Sequence, residues 1–158
     1  MTVYAVDPGL TTGWAVLNTD YATPAFDCGE DTVDEVIQWV KGELQPSDTV
    51  VCERFLISKA TLTRLSHAQY PLRGFYVLEF LAKERGARFV GQTPAEAKSF
   101  GGAPRYDKLR ALDWYRPTKG NHSADASAHL LLYLAKEAQS NAIIRNVLQP
   151  LFGQDGSG

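Results

Sequence analysis

Three acids and a histidine stand in this chain where side chains can do chemistry. Asp7 closes the apolar run Val3-Tyr4-Ala5-Val6, Glu53 closes Val50-Val51-Cys52, and Asp125 follows His122 by three residues at the opening of a Leu-rich stretch. Asp7 and Glu53 each end a strand-like segment. If those strands lie side by side and parallel, both carboxylates emerge at one sheet edge, where α/β folds build their sites. His122 and Asp125, three apart, share one helix face. Four oxygen or nitrogen donors from three distant segments can then converge. Carboxylates gathered in this way repel and raise one another's pKa unless cations offset them. Mg2+ takes few carboxylates, several waters and phosphate oxygens. Two such ions about 4 Å apart can activate a water and stabilise the leaving oxygen of a phosphodiester. Hydrolysis of a nucleic-acid backbone is the reaction this suits.

Each residue also has a structural use. Asp before Pro-Gly is a common turn residue, Glu53 could close a surface strand, and Asp125 could stabilise a helix N-terminus. Neutral imidazole is a poorer Mg2+ ligand than carboxylate. His122 therefore either belongs to a site that tolerates Mn2+, or orients or protonates a water beside the metal. His129 roughly shares that helix face, but its Leu-rich surroundings read as those of a packed histidine. His67 reads as a surface or DNA-facing residue.

The elements that must position these residues follow from periodicity and turn chemistry. Thr2 to Val6 alternates and is β-rich, Gly13 to Leu17 follows the Asp7-Pro8-Gly9 turn as a second strand, and Tyr21 to Cys28 forms a weaker third, interrupted by Pro24. These three make an antiparallel meander. Val33, Val36, Ile37 and Val40 recur at helical spacing behind an acidic first turn, which predicts a helix over Thr32 to Leu44. Thr49 to Glu53 is a short buried strand. A polar and basic segment, Arg54 to Gln69, leads into a helix over Arg73 to Ala82 with apolar residues on more than one face, so that a second subunit could cover what the sheet does not. Ala87 to Val90 is the next strand, and Thr93-Pro94 starts a helix. A Gly101-Gly102-Ala103-Pro104 loop, a short basic helix over Tyr106 to Trp114 and a long final helix opening at Asn121 to Ser123 complete the pattern. The expected fold class is α/β: a mixed five-stranded sheet, three antiparallel strands and then parallel ones, flanked by helices.

The 158 residues, 44% hydrophobic, suffice for one core, expected over residues 1–150 with a flexible tail at 151–158. Cys28 and Cys52 form no C-x-x-C pair and read as free thiols of a reducing compartment. No signal core or membrane-length apolar run is present, so a cytoplasmic protein is expected. Net charge is −2, yet residues 54–119 hold 13 Lys or Arg against five Asp or Glu. Such a basic middle can present a phosphate-binding face, with scattered surface charge as the alternative.

Taken in order, four blocks resemble the RuvC-type Holliday-junction resolvases of the ribonuclease-H-like superfamily. They are Asp7-Pro8-Gly9 with Thr12-Gly13-Trp14; Glu53 with Arg54-Phe55; Thr93-Pro94 to Lys98 followed by the glycine pair and Asp107-Lys108; and His122-Ser123-Ala124-Asp125-Ala126. The resemblance spans residues 1 to about 136. It implies a ribonuclease-H-like fold and Mg2+ or Mn2+ as cofactor, two ions per site, on Asp7, Glu53, His122 and Asp125. It further implies that Lys108 contacts or neutralises the scissile phosphate. Arg54, Phe55, Lys59, Arg64, Arg105 and Lys108 are the expected DNA contacts, and branched DNA cut by a homodimer is the expected substrate. Phe55 stands one place nearer the glutamate than the aromatic that wedges junction bases in the family. The compact form suits a bacteriophage member.

Three other readings compete. Flaps, forks or RNA could replace four-way junctions as substrates of the same nuclease. A branched-DNA binding module could share the fold without cutting, although no member of the acidic set is missing. An actin-like ATPase also follows its first strand with Asp, Gly and two Thr, but needs two such domains around its nucleotide, and 158 residues are too few. No nucleotide cofactor is expected.

Overall fold

The computed structural model describes residues 1–59, 65–101 and 105–152. Five strands form one sheet: β1 (Thr2–Asp7), β2 (Thr12–Asn18), β3 (Ala25–Asp31), β4 (Thr49–Glu53) and β5 (Arg88–Gln92), in the order β3-β2-β1-β4-β5. The first three strands pair antiparallel, and β1, β4 and β5 run parallel. This is the expected mixed sheet. Arg64, the Gly102-Ala103-Pro104 part of the predicted loop, and residues 153–158 of the predicted tail lie outside the described residues.

β1 is central because both of its faces are apolar. Val3 and Ala5 point into one core with Ala15, Leu17 and Val51, while Tyr4 and Val6 point into a second with Val50 and Cys52. Helix α5 (His122–Glu137) covers the first face with Leu130, Leu131 and Leu134. Helices α1 (Val33–Glu43) and α2 (Leu65–Arg85) cover the second. Thr32 and Glu35 form a reciprocal capping box at the start of α1, so the predicted helix ends as two caps, Thr32 and Leu44, around an 11-residue body. Among the described residues, helices α3 (Pro94–Gly101), α4 (Asp107–Ala111), α6 (Ala142–Val147) and α7 (Gln149–Phe152) are also formed. No helix among the described residues is long and apolar enough to cross a membrane.

The main differences from expectation are three element boundaries and two short helices. β3 starts after Pro24, not at Tyr21, and runs on through Gly29-Glu30-Asp31, because pairing with β2 sets its length (Thr12↔Asp31, Asn18↔Ala25). α2 begins at Leu65, eight residues before the predicted Arg73, and passes through Pro71, since the buried Leu78, Leu81 and Ala82 that signal the helix lie only in its second half. The predicted helix over Tyr106 to Trp114 shrinks to α4, with left-handed backbone at Tyr106 (φ 51°) and Asp113 (φ 56°) bounding it. α6 and α7 carry no long apolar period, and none was predicted; α6 is started by Asn141, whose side chain accepts from the Ile143 and Ile144 N–H groups.

Candidate active site

The β1–β4 pairing is parallel with Val6 opposite Cys52, so Asp7 and Glu53 are adjacent at the carboxyl edge of the sheet. On the other side of β1, Asp7 pairs with Gly13, and Gly13 in turn pairs with Glu30 of β3. The missing side chain at Gly13 lets the first turn of α5 rest on β2: a methyl there would run into the His122 carbonyl. His122 and Asp125 arrive beside Asp7 in consequence. Glu30 receives hydrogen bonds from the Ser123 N–H and the Thr118 hydroxyl, supplying from β3 the N-terminal partner that Asn121 does not give through its own side chain.

The His122 Nδ1 to Asp7 Oδ2 distance is 3.7 Å, a charge contact longer than a hydrogen bond. Asp7 raises the His122 pKa despite the opposing effect of burial, with Glu30 and Asp125 adding to the rise. Burial holds the Asp7 carboxyl above the usual range; the Glu53 charge adds to this, and the two histidines offset part of it. Asp125 is raised likewise, by burial first and by Asp7, against the Tyr106 hydroxyl, Lys98 and His122. Tyr106 donates to Asp125 Oδ1 at 2.7 Å, and burial together with that neighbouring charge keeps the phenol protonated as the donor. Glu53 Oε2 lies 2.8 Å from His129 Nε2.

The structure therefore brings Asp7, Glu53, His122 and Asp125 to one edge. Among the described residues, however, no three His, Cys, Asp or Glu side chains stand in metal-holding geometry. Each acid has one oxygen engaged: Asp7 Oδ2 by His122, Glu53 Oε2 by His129 and Asp125 Oδ1 by Tyr106. The opposite oxygens have no hydrogen bond within the described residues. Three hard-oxygen donors with crowded, partly buried negative charge fit a divalent cation of the Mg2+ or Mn2+ kind in donor chemistry and in excess charge.

The basic residues are placed less uniformly. Lys108 donates to the Phe100 carbonyl at 2.6 Å and lies 3.9 Å from that ring's centroid, so its ammonium is engaged by α3 and not by the acids. Lys98, one turn into α3, is the cation whose charge acts on Asp125, a role the sequence reading did not give it. Arg54 stands over Phe75, and with Phe55, Leu56, Tyr76 and Phe89 it lines a groove of about 380 Å³. Lys59, Arg105 and His67 are exposed. Sequence reasoning also missed Tyr106, Glu30 and the bonding of His129. Strand register places Glu30 and Gln92, the seating of α5 on Gly13 places His129, and Tyr106 comes from the left-handed residue before α4.

An antiparallel meander extended by parallel strands, with helices on both faces and acids at the carboxyl edge, defines a ribonuclease-H-like fold. No family model matches the sequence, and no curated protein matches it. Solved structures do match, among them Thermus thermophilus RuvC in complex with a Holliday junction substrate (18% identity, TM-score 0.58, 88% of this chain and 95% of that one) and Thermus thermophilus RuvC alone (17%, 0.59, 88% and 96%). The fold is RuvC-like over most of the chain.

Proposed function

We propose that this chain is a divalent-metal-dependent endonuclease of branched DNA, acting on four-way junctions as a homodimer. The observation that carries this reading is the crowding of Asp7, Glu53 and Asp125, with His122, at the carboxyl edge of a RuvC-like sheet. Asp7, Glu53 and Asp125 would hold the metal through their unengaged oxygens, with His122 beside them. Bound there, divalent ions supply an activated water and charge stabilisation for the leaving oxygen. His122, whose proton Asp7 favours, orients or protonates water at the edge of the site. Lys98 offsets phosphate charge near Asp125. Arg54, Lys59, Arg105 and Lys108, with Arg64, bind backbone phosphates, and Phe55 at the groove meets unstacked bases.

The match to a RuvC bound to a Holliday junction supports the four-way substrate, and the exposed Tyr76 and Phe80 of α2 support the dimer. The test is cleavage of labelled four-way junction, flap, fork and linear duplex in Mg2+, Mn2+ or EDTA. Metal-dependent paired nicks across the junction are expected. Preference for flaps or forks would replace the substrate, and binding without cutting in every metal would replace the enzyme with a binding module.

A further inference from the structure

The one acid whose partner sequence reasoning left in the core is Glu53. His129 lies one turn beyond Asp125 on α5, is 1% exposed, and reaches two side chains with its two ring nitrogens: Glu53 through Nε2 and Gln92 Oε1 through Nδ1, each at 2.8 Å. Glu53 and Gln92 are register partners at the ends of β4 and β5. Gln92 is itself buried, 2% exposed, and its Nε2 has no hydrogen-bond partner among the described residues. A histidine kept only to fill space between Leu130, Leu131 and the sheet would be served as well by leucine, without the cost of a half-paired buried amide.

As a metal-holding carboxylate Glu53 can only accept, so in that state Nε2–H is the donor of the Glu53 bond. Gln92 meets Nδ1 through its amide oxygen or, with the amide turned over, through its N–H, and holds the ring in either orientation. We propose that His129, locked by Gln92, is a positioning residue for Glu53: it ties down one carboxylate oxygen and so presents the other to a divalent cation. The pair is too buried to touch DNA and acts through Glu53 alone. This inference rests on the metal-dependent reading above.

The test is Mn2+ titrated into the metal-stripped full-length protein, followed by calorimetry and by the electron paramagnetic resonance signal of free Mn2+, with melting in EDTA as the control for folding. His129→Leu should weaken Mn2+ binding about 10- to 100-fold, the usual effect of losing a ligand's outer hydrogen-bond partner. His129→Gln, which keeps an N–H near Glu53, should recover part of the loss. In a Glu53→Gln background, His129→Leu should have no further effect. In cleavage assays the half-saturating Mn2+ concentration should rise more than the rate at saturating Mn2+ falls. Wild-type affinity in His129→Leu, or an undiminished effect in the Glu53→Gln background, overturns the proposal. Should His129→Leu fail to fold, Gln92→Leu reads the same quantity, and unchanged affinity there overturns it equally. A wild-type chain that binds no Mn2+ overturns the metal reading and this inference with it.

Discussion

Asp7 carries a charge that its surroundings oppose, by burial above all and by the neighbouring Glu53, and Asp125 is in the same position beside Asp7. An acid whose folded pKa lies above its unfolded one favours the proton in the native state. Its contribution to stability is therefore lost as pH climbs from the unfolded carboxylate range through the folded pKa. His122 adds a loss at higher pH. Its pKa is raised above 6.5, so its favourable contact with ionised Asp7 is present below that value and disappears as pH rises through the folded one. In EDTA the melting temperature should fall between about pH 4 and pH 8, and Mg2+ or Mn2+ should restore most of the loss at the upper end. A flat profile would remove the charge-crowding account. Asp7→Asn should melt above wild type in EDTA at pH 7 and lose that advantage near pH 4. It should also lower cleavage more than about 100-fold, beyond the effect of removing an outer partner, with DNA affinity kept. Wild-type cleavage by Asp7→Asn would take this residue out of the metal site.

At the scale of elements, the site depends on where α5 lands. Its first turn rests on the bare backbone of Gly13 and is tied to β3 through Glu30. Gly13→Ala should cost about 1–3 kcal/mol in urea unfolding by forcing the helix away from β2. It should also depress cleavage further than its stability loss explains, because His122 and Asp125 would move together. An unchanged urea midpoint would mean that α5 is placed by its leucines alone. This dependence on register is why the site was only partly legible in the sequence. Asp7 and Glu53 could be placed from strand ends, and α1 from its period and Thr32, because those signals are local. Glu30, Tyr106 and the two bonds of His129 could not. Gly29-Glu30-Asp31 has no strand period, Tyr106 sits outside a helix in left-handed backbone, and a histidine among leucines looks like packing until β5 is seen to bring Gln92 beside it. The contact of Lys108 with the Phe100 carbonyl was equally illegible, because it depends on how α3 and α4 pack.

At the scale of the whole molecule, the reading requires two copies of the site, because paired cuts across a four-way junction need two. Tyr76 and Phe80, four apart and hence on one face of α2, are 61% and 63% exposed. Leu56 and Ile57, at 57% and 67%, lie in the segment after β4, and Leu56 shares the groove with Tyr76. A two-fold interface would cover a patch of this kind, since the same residues then serve both partners. Light scattering should give twice the 17.4 kDa of one chain for wild type and a single chain for Tyr76→Glu with Phe80→Glu. The charged variant should keep its fold, because both side chains already face solvent, and it should keep metal-dependent nicking while losing the pairing of nicks across a junction. A monomeric wild type that still makes paired cuts would overturn the need for two copies, and a double variant that stays dimeric would take α2 out of the interface. A variant that loses all cleavage while remaining folded would mean that the α2 face contacts DNA, because a site complete within one chain does not need its partner to make a single nick.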